Sequence, residues 1–347
     1  MRRLLFIASL GLVTMLGFGF WFVEGTTTSY LVDQPEKKEF YVEKGTGAVA
    51  IAEDLKAQGL ISNRWLFVLY VLFQQKQGQL QAGTYTLSPA MSISEIAEKI
   101  IAGEAEQERI TIIEGWNLMD IAWHLEGRGL FQAEEMFDVT GYPLVEYPNP
   151  EMATPKDFSQ DFDFLKDKPK VLGLEGYIFP DTYNIVGADG PEELVLKALD
   201  NFGRKFNPQL RAEIEGHGKS IFEIVTMASL LEKEVSLFED RRLVSGILWK
   251  RLEAGVPLQV DATISYITGK KTTKVSKKET EIDSPYNTYK DLGLPKGPIS
   301  NPGLESIQAA IYPEESNFWY YLSTPEGDTI FSQTLEQHNI AKEKYLK

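Results

Sequence analysis

The stretch IFEIVTMASLLEKEV, residues 221–235, predicts a helix whose first half is apolar nearly all round. A helix with that pattern is buried in a core and does not lie on the surface. The predicted helix extends over residues 219–238, a second strong helix covers 191–206, and turn-rich loops separate such helices. The sequence therefore predicts a large α+β domain over residues 171–347.

One carboxyl group of this helix, that of Glu232, lies on its apolar face. At about 100° per residue it falls in the arc of an apolar stripe made of Ile221, Ile224, Val225, Ala228, Leu231 and Val235. Burial disfavours the charged form of a carboxyl group, which is what a general acid near neutral pH needs. The alternative is a purely structural Glu232, paired with Lys233, Arg241 or Arg242. Glu234 points about 200° away, so the helix predicts one acid in a cleft and not a pair.

Two polar and aromatic loops supply further candidates for a site. They are LGLEGYIFPDTY, residues 172–183, and IDSPYNTYKDLGLPKGPISNPG, residues 282–303. Aromatic rings beside amides and hydroxyls suit a carbohydrate cleft, but ordinary turn chemistry produces the same composition. Glu175 is the predicted second carboxylate, with a turn cap or an ion-pair partner as its alternative role. The predicted cleft wall consists of Tyr183, Gln259, Asp261, Tyr286, Asn287, Tyr289, Ser300 and Asn301.

An internal repeat precedes this domain. The stretches FYVEKGTGAVAIAEDLKAQGLI, residues 40–61, and ITIIEGWNLMDIAWHLEGRGLF, residues 110–131, each predict a strand, a glycine turn and an amphipathic helix. Between them, residues 83–104 predict another strand and a short helix. Small units of this kind resemble the LysM module, which binds glycan strands; a scaffold without sugar affinity is the alternative. We predict a repeat region over residues 39–141 and a connecting segment over 142–170.

The first residues predict a membrane anchor. Arg2 and Arg3 precede an uncharged run from Leu4 to Val23, long enough to cross a bilayer as a helix of about 20 residues. The run is longer than a signal peptide core and ends in bulky side chains, so an uncleaved anchor over residues 1–24 is favoured over a cleaved signal. The two arginines keep the N-terminus cytoplasmic. A tether over residues 25–38 then leads to the rest of the chain, which we expect outside the cytoplasm, in the periplasm. The anchor holds it at the inner (cytoplasmic) membrane.

Composition excludes several classes of protein. The chain of 347 residues has a formal net charge of -15, without the basic face of a nucleic-acid binder. It has no cysteine, which excludes disulfides, thiolate metal sites and a thiol nucleophile. Its three histidines are far apart in sequence, so we expect neither a histidine metal site nor a serine–histidine–aspartate triad, and no cofactor. Carboxylates remain the predicted catalytic groups.

Five strings in series, LEGYIFPDTY, ASLLEKEV, LQVDATISY, SPYNTY and GLPKGPISNPG, resemble the motifs of the endolytic murein transglycosylase family. That resemblance implies an inner-membrane anchor, a LysM-like subdomain and a lyase domain. It implies cleavage between N-acetylmuramic acid and N-acetylglucosamine that leaves a 1,6-anhydro end. The family's catalytic glutamate corresponds to Glu232. The departures are small: Lys296 stands where the family usually has proline, and Leu230 and Leu231 replace a pair of the Ile-Val type.

Under this interpretation Glu232 acts first as general acid and then as general base, while the 6-hydroxyl of muramic acid closes on the anomeric carbon. The expected partners are peptidoglycan strands and the membrane. The family resemblance adds peptidoglycan synthases (penicillin-binding proteins), and cleavage of nascent strands is then expected to terminate their elongation. Two alternatives stay open: a non-catalytic peptidoglycan-binding scaffold of the synthesis machinery, and a hydrolase with two carboxylates, whose products carry reducing ends.

Overall fold

The computed structural model describes residues 14–15, 17, 19–27, 36–105, 107–186, 190–270 and 275–346. Its helices and strands follow in chain order. The strands are β1 (Lys38–Val42), β2 (Gly83–Leu87), β3 (Glu108–Thr111), β4 (Thr182–Ile185), β5 (Tyr320–Ser323) and β6 (Thr329–Ser332). The helices are α1 (Ala48–Ala57), α2 (Arg64–Phe73), α3 (Ile93–Ala102), α4 (Leu118–Gly127), α5 (Ala133–Thr140), α6 (Pro191–Lys205), α7 (Pro208–Gly216), α8 (Ile221–Glu234), α9 (Phe238–Glu253), α10 (Asp261–Thr268), α11 (Leu304–Ile311) and α12 (Leu335–Tyr345).

The chain divides into two compact units. The smaller unit comprises Met1–Arg109 and Asn184–Gly190, and the larger comprises Ile110–Tyr183 and Pro191–Lys347. This division differs from the predicted one, because the second strand–helix copy, at residues 110–131, and the predicted connecting segment, at 142–170, both belong to the larger unit. Sequence similarity between the two copies does not reveal that each copy packs in a different core.

Within the smaller unit, β1 and β2 form an antiparallel pair in which Phe40 lies opposite Tyr85. Both aromatic side chains are fully buried with residues of α1, α2 and α3. A capping box begins α3, since Ser92 accepts from the backbone N–H of Glu95 and the Glu95 side chain accepts from that of Ser92. The predicted strands and helices at residues 40–61 and 83–104 are thus confirmed, whereas their LysM-like character stays a prediction.

The larger unit is built around α8. Its residues from Ile224 to Leu231 are buried, and α11 packs along it. The predicted helix 219–238 is in fact shorter: α8 ends at Glu234 and α9 begins at Phe238. With three two-stranded sheets among many helices, the described residues have the mixed helix and sheet structure that the α+β prediction requires.

The predicted connecting segment contributes to the core of this unit. Phe158 and Phe164 are almost fully buried. The ring of Phe164 lies 4.8 Å from that of Phe202 in α6, and the Phe202 ring lies 5.2 Å from that of Tyr177. Proline and charge in residues 142–170 suggested a linker, but Phe164 of that segment is part of a buried aromatic cluster.

The predicted anchor over residues 1–24 lies largely outside the described residues, which begin at 14 and omit 16 and 18. Helical structure covers residues 19–27. Across the described ranges, no helix combines the length and the apolar character that crossing a membrane requires.

Gly246 marks a close approach between α9 and the chain that follows α11. A Cβ atom at this position would collide with the backbone carbonyl oxygen of Glu314, while the N–H of Glu314 donates to the carbonyl of Arg242 at 2.9 Å. We expect Gly246→Ala to lower the free energy of unfolding by about 2 kcal/mol, despite the better helix propensity of alanine. Urea unfolding measures this change.

Gly216, at the end of α7, provides the matched control. A Cβ atom there has no heavy atom within 4 Å, so Gly216→Ala should leave stability unchanged or raise it by up to about 1 kcal/mol. Equal effects of the two substitutions would contradict the close approach at Gly246.

Candidate active site

Glu232 lies in the last turn of α8, and its side chain is only 6% exposed. Oε1 lies 3.3 Å from Nη2 of Arg241, and Oε2 accepts the backbone N–H of Gly303 at 2.9 Å. Each carboxylate oxygen therefore has a separate donor, which fixes the orientation of the group.

Arg241 is held as firmly as the carboxylate. It lies in the first turn of α9, is 8% exposed, and donates from Nε to the carbonyl oxygen of Val235 at 2.9 Å. Its Nη1 reaches Glu305, which is 63% exposed, at 3.3 Å. The ion pair that the sequence offered as the alternative role of Glu232 thus exists, with Arg241 as the partner. An ion pair does not decide between structural and catalytic roles.

The loop before α11 brings Gly303 to this position. Its Ile299 N–H donates to Oγ of Ser229 at 3.0 Å, and Oγ of Ser300 donates to the Ser229 carbonyl at 3.1 Å. Ser229 lies one turn before Glu232 on α8. The loop is therefore attached to the same helix that carries the carboxylate, and Gly303, the N-cap of α11, presents a backbone donor to it.

Asn301 connects this loop to two other segments. Its Nδ2 donates to the Trp116 carbonyl at 2.9 Å, and its Oδ1 accepts the N–H of Ile178 at 2.9 Å. Gly115 donates its N–H to the Asn301 carbonyl at 2.9 Å, while Nζ of Lys233 donates to the Gly115 carbonyl at 3.1 Å. The turn at residues 114–116 is consequently fixed beside the end of α8.

Glu175, the predicted second carboxylate, has the alternative role that the sequence left open, as a cap. Its carboxyl group is buried and accepts the backbone N–H of Leu118, the first residue of α4, at 3.1 Å. It also accepts from the hydroxyl of Tyr266 at 3.0 Å and from Nδ2 of Asn301 at 3.3 Å. Burial raises the pKa of Glu175 to about 8. The group holds Asn301 in place and, among the described residues, forms no hydrogen bond or ion pair with Glu232.

This pKa predicts a pH-dependent stability. Because the pKa rises from 4.5 to about 8 on folding, Glu175 binds a proton in the folded state that the unfolded chain releases. Its contribution to the free energy of unfolding is complete below pH 4.5 and is lost as the pH rises toward 8. We compare the free energy of unfolding of the wild type with that of Glu175→Gln. The wild-type value minus the variant value should be smaller at pH 8 than at pH 5, by more than about 1 kcal/mol. Urea titrations at both pH values measure it, and a pH-independent difference would contradict the prediction.

The other predicted cleft residues have partners other than Glu232. The hydroxyl of Tyr289 donates to Asp261, the N–H of Gln259 donates to the Thr288 carbonyl at 3.0 Å, and Asn287 donates to backbone carbonyls of its own loop. Tyr286 is buried with its ring 5.4 Å from that of Tyr266. Tyr183 donates to the carbonyl of Phe179. Of the predicted wall residues, Ser300 and Asn301 belong to the loop whose Gly303 donates to Glu232.

Glu234 faces different partners, as the helix geometry predicted. Its carboxylate accepts from the hydroxyl of Tyr321 at 2.9 Å, and burial raises its pKa to about 7. Sequence reasoning did not identify the N–H of Gly303 as a donor to Glu232. Among the described residues, no group of His, Asp or Glu could hold a metal ion.

Comparisons with known proteins agree on one family. The model of the YceG-like family matches residues 40–344. An endolytic murein transglycosylase of Bacillus subtilis (strain 168) is 33% identical over 310 residues, which cover 88% of this chain and 84% of that protein. One of Streptococcus pneumoniae (strain D39) is 28% identical over 97% of this chain and 64% of its own length. The crystal structure of a yceG-like protein from Listeria monocytogenes is 31% identical, with a TM-score of 0.58, and covers 89% of this chain and 100% of the other.

Proposed function

Since this chain belongs to the YceG-like family, we propose that it is a peptidoglycan lytic transglycosylase, a lyase that cuts within glycan strands, with Glu232 as its catalytic group. The names of the relatives in B. subtilis and S. pneumoniae support the activity. The observation that supports Glu232 is its setting: an almost buried carboxylate whose two oxygens have one donor each, Arg241 and the N–H of Gly303.

In the proposed reaction, Glu232 gives its proton to the glycosidic oxygen as the bond from the anomeric carbon of N-acetylmuramic acid to that oxygen breaks. The 6-hydroxyl oxygen of the same sugar then bonds to the anomeric carbon, and its proton passes to the Glu232 carboxylate. The acid is thus regenerated, and no water enters the products. One carboxyl group suffices, whereas hydrolases use a second to form an intermediate or activate a water.

Arg241 and Gly303 share two tasks in this scheme. Both stabilise the carboxylate that exists between the two proton transfers, and they fix its direction toward the sugar. Their fixed positions require no reorganisation during the reaction, because Arg241 also donates to Val235 and Gly303 is part of the loop attached to Ser229.

The test is a product analysis of the detergent-solubilised protein with uncross-linked peptidoglycan strands. Internal fragments with 1,6-anhydromuramic ends support the proposal. Fragments with reducing ends, heavier by one water, indicate a hydrolase. Strands that co-sediment with the protein but stay intact indicate a non-catalytic scaffold, and the assignment of Glu232 would then be withdrawn.

We also propose that residues 1–24 anchor the protein in the cytoplasmic membrane with the N-terminus inside, and that its smaller unit contacts glycan strands. An anchored enzyme beside nascent strands would set their length. Such an enzyme would lie near peptidoglycan synthases. Affinity purification from membranes that recovers no penicillin-binding protein would count against that association.

A further inference from the structure

The outward side of α2, in the smaller unit, is apolar. Trp65, Leu72 and Phe73 are exposed and Leu69 is half-buried, whereas the opposite side of the helix is buried in the core of the unit. At about 100° per residue these four side chains span an arc of about 100°. A surface helix normally turns polar residues outward, so an outward apolar arc indicates a partner. These four side chains are called the apolar face of α2 below.

The chain around this face lacks acidic side chains. Residues 55–94 contain no Asp or Glu, although the whole chain of 347 residues has 50. Their charged side chains are three cations, those of Lys56, Arg64 and Lys76. Arg64 pairs with Glu53, and Lys76 with Glu98 at 3.1 Å, both outside that stretch. The stretch therefore presents apolar groups and cations, and no negative charge of its own, to an anionic phospholipid surface.

The same helix packs on the end of the proposed anchor. The ring of Phe22 lies edge-on to that of Phe73, with 5.2 Å between the ring centroids. At the start of α3, Oγ of Ser94 donates to the backbone carbonyl of Thr26 at 3.1 Å. Phe22 belongs to the uncharged run of residues 4–23, which is long enough to cross a bilayer. In an anchored protein, α2 consequently lies at the height at which the anchor leaves the membrane.

We propose that the apolar face of α2 lies in the interfacial region of the membrane that holds the anchor, on its extracytoplasmic side. This inference rests on the anchor proposed above. Helix faces with Trp, Phe and Leu bury about 5–10 Å into the boundary between headgroups and acyl chains, and Trp is enriched at that depth. Apart from the Trp65 indole, the face has no hydrogen-bonding side chain for sugar hydroxyls, which favours lipid over a glycan strand. Two attachments, the anchor and this face, would hold the smaller unit in one orientation to the bilayer.

Single cysteines test this proposal on the full chain, since the protein has none of its own. Leu69→Cys and Leu72→Cys are labelled with a nitroxide and reconstituted in vesicles of phosphatidylethanolamine and phosphatidylglycerol. Electron paramagnetic resonance then compares relaxation by oxygen, which concentrates in the bilayer, with relaxation by a nickel chelate, which stays in water. We expect both labels to be reached by oxygen and shielded from the chelate, at a depth of about 5–10 Å.

Val49→Cys is the matched control. Val49 is 49% exposed and Leu72 is 48% exposed, but Val49 lies on α1, one turn before the exposed Glu53. Its label should be reached by the nickel chelate. Labels at 69 and 72 that the chelate reaches to the same extent would overturn the inference. Labels there that are shielded from both oxygen and chelate would also overturn it, in favour of a protein partner or a second copy of this chain.

Met15→Cys separates this inference from the proposed anchor. Its label should be reached by oxygen and shielded from the chelate. If that label lies in the bilayer and the labels on α2 lie in water, the anchor stands and the inference about α2 fails. If the label at Met15 lies in water, the proposed anchor is refuted, and the depth of the labels on α2 still decides whether the apolar face meets lipid.

Discussion

Glu232→Gln is expected to abolish the formation of anhydromuramic ends, with a loss of at least about 10²–10⁴-fold. Glutamine keeps the size of the side chain and can still accept the N–H of Gly303, but it has no proton to give to the glycosidic oxygen and no charge with which to take one up. Mass spectrometry of digested strands measures the loss. Circular dichroism must show a folded protein, because the substitution also removes one of the two carboxylate partners of a buried guanidinium.

Glu234→Gln is the matched control for that experiment. It makes the same chemical change two residues further along the helix, on a carboxyl group that is also buried but accepts from Tyr321. We expect it to retain activity within a few-fold of wild type. If Glu232→Gln were active and Glu234→Gln inactive, the assignment of the acid would have to move to the other face of α8.

Arg241→Met is expected to have the largest effect on stability among the site substitutions. It removes the guanidinium from beside an almost buried carboxylate and leaves the Val235 carbonyl without its side-chain donor. Loss of one partner from a buried ion pair costs about 3–5 kcal/mol, because the remaining charge is desolvated without compensation. Urea unfolding at pH 7 measures this, and we expect transglycosylase activity to fall with it.

Arg242→Met controls for the loss of a cation from the same turn of α9. Arg242 is about one-third exposed and pairs with Glu239 and Glu314 at 3.5 and 3.8 Å. Such pairs contribute less than about 1 kcal/mol. A similar loss of stability from both substitutions would mean that the pair of Arg241 with Glu232 is no stronger than an ordinary surface pair.

The sequence predicted the local elements better than their grouping. Helical periodicity placed α8 and identified the carboxyl group on its apolar face, and the glycine turns located the strand–helix copies. The two copies nevertheless lie in different units, because the partner of a strand or helix is decided by contacts distant in sequence. Phe164 looked like part of a linker, since nothing in the neighbouring sequence shows that its ring packs against that of Phe202.

Prediction of the site was limited for the same reason. Glu232 could be named from the apolar stripe of α8, and Arg241 was one of three cations named as its possible partner. The N–H of Gly303 could not be named, because a backbone donor has no sequence pattern and reaches Glu232 only after a distant loop packs on α8. Asn287 and Tyr289 have side chains that suit a sugar site; in the structure Asn287 donates to carbonyls near its own loop, and Tyr289 donates to Asp261 of α10.

The bonds made by Asn301 join segments of the chain that leave the ribosome at very different times. This side chain binds Ile178, 123 residues earlier, and Trp116, 185 residues earlier, and contacts of such separation form late in folding. Emerging from the ribosome, the chain presents α8 and Arg241 well before the loop that supplies Gly303. An interrupted chain that ends before this loop would thus carry the Glu232 carboxyl group without the backbone donor that orients it. The proposed activity would therefore require a chain whose synthesis has passed Gly303.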